Sequence, residues 1–216
     1  MTTTENDSKY DSDTRAVTLR VNGREVTRQV PTRQTLADFL RDDLDLVSVH
    51  LGCEHGVCGC CTVLLDGSSV RSCLMLAVQA VGHEVETVES LSADQNALHP
   101  IQEAFAEEQG LQCGFCTPAM VLRTKEILAD GQERSDDEVR NEISGILCRC
   151  TGYQNIINAV QNAGRKLRCG GSGTCATGHP GGAVGTAAVA GAETDAVTDV
   201  ERADGFDGPA GTTKEA

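Results

Sequence analysis

Apolar and polar positions alternate through "AVTLRVNGREVTRQV", and Asn22-Gly23 interrupts the alternation. A period of two with an Asn-Gly break predicts a β-hairpin. The period changes in "TLADFLRDDL", where Leu36, Phe39, Leu40 and Leu44 fall on one helical face and Thr35 stands ready as N-cap. "TVLLDGSSVRSCLML" returns to strand-turn-strand around Asp66-Gly67, and a last strand is expected near "EVETVE". Strands with one helix between them predict a small α+β unit over residues 15–91.

From Ser92 the pattern is helical. "SADQNALHPIQEAFAEEQG" opens with a capping-box pattern, Ser92 with Gln95, and spaces Leu98, Ile101 and Phe105 as a helix would. "TPAMVLRTKEILADG" begins on Thr117-Pro118, read as cap and first-turn proline, and stops at Gly131. "SDDEVRNEISG" repeats the box with Ser135 and Glu138, and "YQNIINAVQNAGRKL" aligns Ile156, Ile157, Val160 and Leu167. Short helices with short connections predict an all-α four-helix bundle over residues 92–169. Residues 1–14 read as a disordered lead-in, and 170–216 as a disordered, acidic, Gly/Ala-rich tail.

Composition narrows the function. With 32 Asp+Glu against 18 Lys+Arg the net charge is −14, and the only lysines are Lys9, Lys125, Lys166 and Lys214. Such a surface lacks the basic footprint of a nucleic-acid binder and the means of docking on anionic lipid. It suits work in high salt, where screening relieves self-repulsion, so a halophile-like acidity is expected. The N-terminus has no basic start and the chain has no long apolar run, so neither a signal peptide nor a membrane span is expected. In the reducing cytoplasm that this implies, eleven cysteines mean metal or redox chemistry rather than disulfides.

Those cysteines fall into sets. Cys53-x4-Cys58-x2-Cys61, followed by Cys73, has the spacing of plant-type [2Fe–2S] ligation. Gly52, Gly56 and Gly59 suit a loop that must wrap an iron–sulfur rhomb and bring amide N–H groups up to sulfur. Cys60 is then the spare. Because successive residues of an extended chain point to opposite faces, a Cys61 turned toward a cluster leaves Cys60 facing away.

Cys113-x2-Cys116 and Cys148-x-Cys150 form the second set, each pair in a turn just before a helix, where free N–H groups favour thiolates. Iron–sulfur is the preferred occupant here, with zinc the alternative that spacing leaves open. A Rieske site is excluded, since Cys53-Glu54-His55 has no Cys-x2-His to complete it. His50, His83, His99 and His179 read as structural or surface residues. Cys169 and Cys175, flanking "GGSGT", read as free thiols in preference to a redox-sensing pair. No nucleophile–base set, P-loop or dinucleotide fingerprint is present, which points to an electron-transfer subunit without a catalytic residue or substrate site of its own.

"LGCEHGVCGCCTVLLDG…VRSCLMLAVQA", "LHPIQEAF…LQCGFCTPAM" and "GILCRCTGYQNI" resemble the small iron–sulfur subunit of the molybdenum hydroxylases, the xanthine dehydrogenase family, over residues 15–168. The resemblance implies a plant-ferredoxin-like β-grasp domain followed by a helical [2Fe–2S] domain. It implies a large molybdopterin-binding subunit next to the Cys113, Cys116, Cys148 and Cys150 cluster. A medium FAD-binding subunit would lie beyond the Cys53, Cys58, Cys61 and Cys73 cluster, the whole assembling as a dimer of heterotrimers. Gln112 matches a glutamine that hydrogen-bonds the pterin, and Cys150 the ligand nearest to it. Cys60 and Ala119 depart from the usual alanine and glycine. His50, where many relatives have lysine, resembles the carbon monoxide dehydrogenase branch and slightly favours it. A free-standing ferredoxin-like carrier and a zinc-stabilised interaction module are the competing classes.

Overall fold

In the computed structural model, which describes residues 13–92 and 97–170, both predicted hairpins close through paired residues of positive φ. Asn22 (φ 52°) and Gly23 (φ 76°) join β1 (Thr14–Val21) to β2 (Arg24–Pro31). Asp66 (φ 49°) and Gly67 (φ 83°) join β3 (Thr62–Leu65) to β4 (Ser68–Arg71). Two left-handed residues in a row give the twist that adjacent antiparallel strands require. Both turns are also tied to the last strand, β5 (Glu84–Glu86), or to Thr87 just after it. Asn22 Nδ2 donates to Thr87 Oγ1 at 2.8 Å, and Asp66 Oδ1 accepts from Glu84 N at 2.9 Å.

The strands form one mixed sheet in the order β2-β1-β5-β3-β4, with β1 and β5 parallel and the other pairs antiparallel. Val17, Leu19 and Val21 alternate inward from β1 as their period demands. On β2, the edge of the sheet, only Val30 is buried and Val26 is half-buried against the core, while its other residues are exposed. The inner face packs on α1 (Leu36–Asp38), capped as expected by Thr35 Oγ1, which accepts from Asp38 N at 3.1 Å. That helix widens into a π-helical stretch over Phe39–Asp43, keeping Leu36, Phe39 and Leu40 buried and Leu44 partly so.

Four longer helices complete the chain's described part: α2 (Pro100–Glu107), α3 (Thr117–Ile127), α4 (Asp136–Ile143) and α5 (Gln154–Arg168). In this group α2 packs on α5 and α3, and α4 on the same two helices. Their shared core gathers Ile101, Phe105, Met120, Ile143, Ile156, Ile157 and Val160. Helix α3 also lies on β3 and β4, so Thr62, Val63 and Leu64 are buried on both faces of the sheet. All described residues belong to one contact unit, Met1–Ala176. No helix among them is long and apolar enough to cross a membrane.

Several expectations need correction. Helix α2 starts at Pro100, with His99 as N-cap in a box with Gln102, and the Gln95 half of the expected box lies outside the described residues. Proline bars the residue before it from helical angles, and His99 accordingly sits extended at φ −66°, ψ 147°. Leu98 therefore falls before the helix and is 53% exposed. Cys116, not Thr117, is the N-cap of α3, and Thr117 Oγ1 is buried without a hydrogen-bond partner. Leu167, expected on the buried face of α5, is 40% exposed at its C-terminal end. Cys169 is disulfide-bonded rather than free, and Cys175 lies outside the described residues. The box at Ser135 and Glu138 forms as expected.

Candidate metal centres

The loop before β3 carries the first cysteine set on a backbone few residues could adopt. Glu54, Gly56 and Gly59 have φ of 56°, 82° and 74°. A Cβ on Gly59 would come within 2.3 Å of Gly145 O, and one on Gly56 within 2.4 Å of Leu74 Cδ1. Gly56 thus needs glycine for its angle, and Gly59 for both angle and space. The turn aims the Cys58 amide at Cys53 Sγ, 3.3 Å away. That bond, and after it one from the His55 amide, brings the Cys53 thiol down to about 6, favouring the thiolate a metal needs.

Cys61 and Cys73 lie buried on the sheet side. Burial pushes the Cys73 thiol up to about 11, and the neighbouring Cys61 thiol adds to the effect. A bound iron would replace the proton in such a place.

Adjacent cysteines part company at the strand entrance. Cys61 packs with Val63, Leu36 and Phe39, whereas Cys60 joins the helical core with Ile101, Phe105 and Cys116. Burial, then the neighbouring Cys58, pushes the Cys60 thiol up to about 12, so it stays protonated as a small apolar side chain.

In the second set, Cys113 and Cys150 are exposed, Cys148 is half-buried and Cys116 is buried. Cys113 is lowered chiefly by the Phe115 amide, and Cys150 is raised by the thiol of Cys113 beside it. Burial pushes Cys116 up to about 12, and the Cys148 thiol adds to it. Burial would raise Cys148 too, but hydrogen bonds led by the Thr151 hydroxyl, 3.1 Å from its sulfur, leave it lowered. Gln112 is exposed immediately before Cys113.

The structure thus brings Cys53, Cys58, Cys61 and Cys73 together in one place and Cys113, Cys116, Cys148 and Cys150 in another. Among the described residues no three His, Cys, Asp or Glu side chains close around a single point as one ion requires. Four thiolates suit a two-iron cage, and the amide facing Cys53 sulfur suits its negative charge.

The two loops touch. Leu147 N donates to Cys58 O at 2.8 Å, linking a residue of the first set to the neighbour of Cys148. His50 stacks on Phe115, with ring centroids 4.7 Å apart, and its Nδ1 donates to Phe115 O at 2.7 Å. His55 turns its Nδ1 back onto Cys53 O.

Tyr153 went unread in the sequence. Held at φ 71°, it sends its hydroxyl to Ile146 O at 3.3 Å and receives Cys148 N at 2.8 Å, bracing the second loop. Its place three residues after Cys150 was the available signal. Arg71 was also passed over. It donates to Thr62 Oγ1 at 2.6 Å and to Gly145 O at 2.7 Å.

Comparison with known proteins finds two iron–sulfur domains in this chain. The family model described as "2Fe-2S iron-sulfur cluster binding domain" matches residues 19–90, and that described as "[2Fe-2S] binding domain" matches residues 87–161. The chain is 54% identical over 149 residues to caffeine dehydrogenase subunit gamma of Pseudomonas sp. (strain CBB1), covering 68% of this chain and 89% of that one. It is 40% identical over 151 residues to the xanthine dehydrogenase iron-sulfur-binding subunit of Escherichia coli O157:H7, covering 69% of this chain and 94% of that one. Among solved structures, quinoline 2-oxidoreductase from Pseudomonas putida 86 aligns with a TM-score of 0.70 at 44% identity, over 73% of this chain and 98% of that one.

Proposed function

Because the chain belongs to the iron–sulfur small subunits of the molybdenum hydroxylases, the xanthine dehydrogenase family, we propose that its two cysteine sets are successive stops on one internal electron path. It is an iron–sulfur electron-transfer subunit of a multi-subunit oxidoreductase, with two [2Fe–2S] binding domains. When bound, the clusters carry electrons one at a time between a molybdopterin centre on a large subunit and FAD on a medium subunit. Cys113, Cys116, Cys148 and Cys150 hold the cluster on the molybdopterin side. Cys53, Cys58, Cys61 and Cys73 hold the one toward FAD.

The observation that carries this reading is the Leu147 N to Cys58 O bond, which joins the two loops directly. The exposure of Gln112, Cys113 and Cys150 supports a face turned toward a pterin-bearing partner. The cyclic packing of α2, α3, α4 and α5 supports reading the helical part as a four-helix bundle. The dimer of heterotrimers and the cytoplasmic location are carried over from the resemblance and the cysteine usage.

The carbon monoxide dehydrogenase branch rests on His50 alone. That side chain is engaged with Phe115, so it reports on how the loops are joined rather than on substrate. Substrate choice belongs to the large subunit.

Purification of the chain from its host under native conditions tests the proposal. About four irons per chain are expected from two [2Fe–2S] clusters, together with co-purifying molybdenum and FAD. Iron without any molybdenum-containing partner would favour a free-standing carrier, and zinc in place of iron would remove the electron path altogether.

A further inference from the structure

Arg71 reaches from the end of β4 across to the second loop, and its two acceptors belong to different cysteine sets. Nη1 donates to Thr62 Oγ1 at 2.6 Å, directly after Cys61 in the chain. Nη2 donates to Gly145 O at 2.7 Å, three residues before Cys148. Thr62 Oγ1 in turn donates to Gly59 O at 2.6 Å, so the guanidinium is hydrogen-bonded into the first loop as well as into the second.

The two loops approach closely at this contact. A Cβ on Gly145 would sit 2.8 Å from Arg71 Nη2, and one on Gly59 would meet Gly145 O and Ile146 Cα. Backbone of the second loop thus holds Gly59 to glycine, whereas at Gly145 a side chain would crowd only the guanidinium end.

We propose that Arg71 is a positioning residue that clasps the two cysteine loops together and so fixes the spacing between the clusters they hold. The inference rests on the two-cluster reading above. Arginine suits the task because its rigid fork presents several donors at fixed angles. Lysine offers a single ammonium on a flexible stem and would reach one loop well and the other poorly. Both acceptors are neutral oxygens, so the clasp also sets a full positive charge between the loops. Reduction adds negative charge to a cluster, and a nearby cation makes that addition more favourable.

Three variants of the assembled complex test the clasp: Arg71→Met, Arg71→Lys and Gly145→Ala. Iron content and the paramagnetic signals of the two reduced clusters in the wild type test the two-cluster reading, independently of Arg71. The magnetic interaction between those signals, which depends steeply on their separation, tests the clasp. In Arg71→Met both signals are expected at full intensity, with their mutual splitting lost or broadened and at least one midpoint potential shifted to more negative values. Gly145→Ala should broaden the splitting while leaving the potentials closer to wild type, because the charge remains. Arg71→Lys should fall between, restoring potential more than splitting. Wild-type splitting in Arg71→Met with both clusters present would overturn the proposal. If Arg71→Met fails to assemble, Arg71→Lys decides, and wild-type splitting in that variant with both clusters present overturns the proposal equally.

Discussion

Cys60 and Cys61 share a peptide bond and end in different cores, one among the helices and one beneath the sheet. The alternation of an extended backbone is enough to separate them. Cys60 then behaves as a buried, protonated small side chain, and its thiol is pushed up to about 12. Cys60→Ala is expected to keep both paramagnetic cluster signals and to cost less than about 1.5 kcal/mol, as volume-conserving core changes do. Cys61→Ser is expected to remove the signal of the first cluster alone. Iron analysis and paramagnetic resonance of the two variants check this, and loss of the first cluster in Cys60→Ala would reverse the assignment.

Among the elements, α2 has an unusual beginning, since a histidine ring caps it. His99 Nδ1 accepts from Ile101 N at 3.3 Å, which requires that nitrogen to be unprotonated. Burial, and then the nearby positive charge of Lys125, lower the pKa of His99 from 6.5, while Glu103 opposes them. The native state therefore binds this proton less readily than the unfolded chain does. The cap's contribution is intact above the unfolded value of 6.5 and is lost as pH falls below it toward the depressed native value. A cap is worth about 1 kcal/mol. His99→Asn keeps a capping oxygen without the titration, so its unfolding free energy should fall less than the wild type's between pH 7 and pH 5, by up to about 1 kcal/mol. Denaturant titrations at a series of pH values measure the difference, and identical pH slopes would exclude the mechanism.

Across the whole molecule, several of the described cations join one element to another. Arg71 joins β4 to the second cysteine loop, Arg123 joins α3 to Ser69 and Glu142, and Lys125 pairs with Glu86. Glu126 is opposed by burial but held low by Ser69 and Arg123, across the same contact between helix and sheet. The net charge of −14 leaves an excess of repulsion that such local pairs do not cancel. Raising salt from about 0.1 M to 1 M shortens the screening length from about 10 Å to about 3 Å. The thermal midpoint is therefore expected to rise over that range. A scanning calorimetry series checks it, and a falling midpoint would show that attractive pairs outweigh the repulsion.

The linear chain was enough to determine the hairpins at Asn22-Gly23 and Asp66-Gly67, the Thr35 and Ser135 caps and the grouping of the cysteines. The turns and caps rest on residues adjacent or a few positions apart, where local geometry governs, whereas the cysteines group by the short spacing inside each motif, and the second set joins two such pairs from distant turns. Tertiary structure decided what depends on distant partners. Gly59 lies against Gly145 O, Leu147 N meets Cys58 O, and Arg71 reaches across to the second loop. It also left Leu167 exposed at the end of α5. Spacing can pair the thiols within each short loop or turn, because those pairs are local. It cannot say how two such loops are held against each other, because that is settled by hydrogen bonds between residues some seventy positions apart, such as the 74 between Arg71 and Gly145.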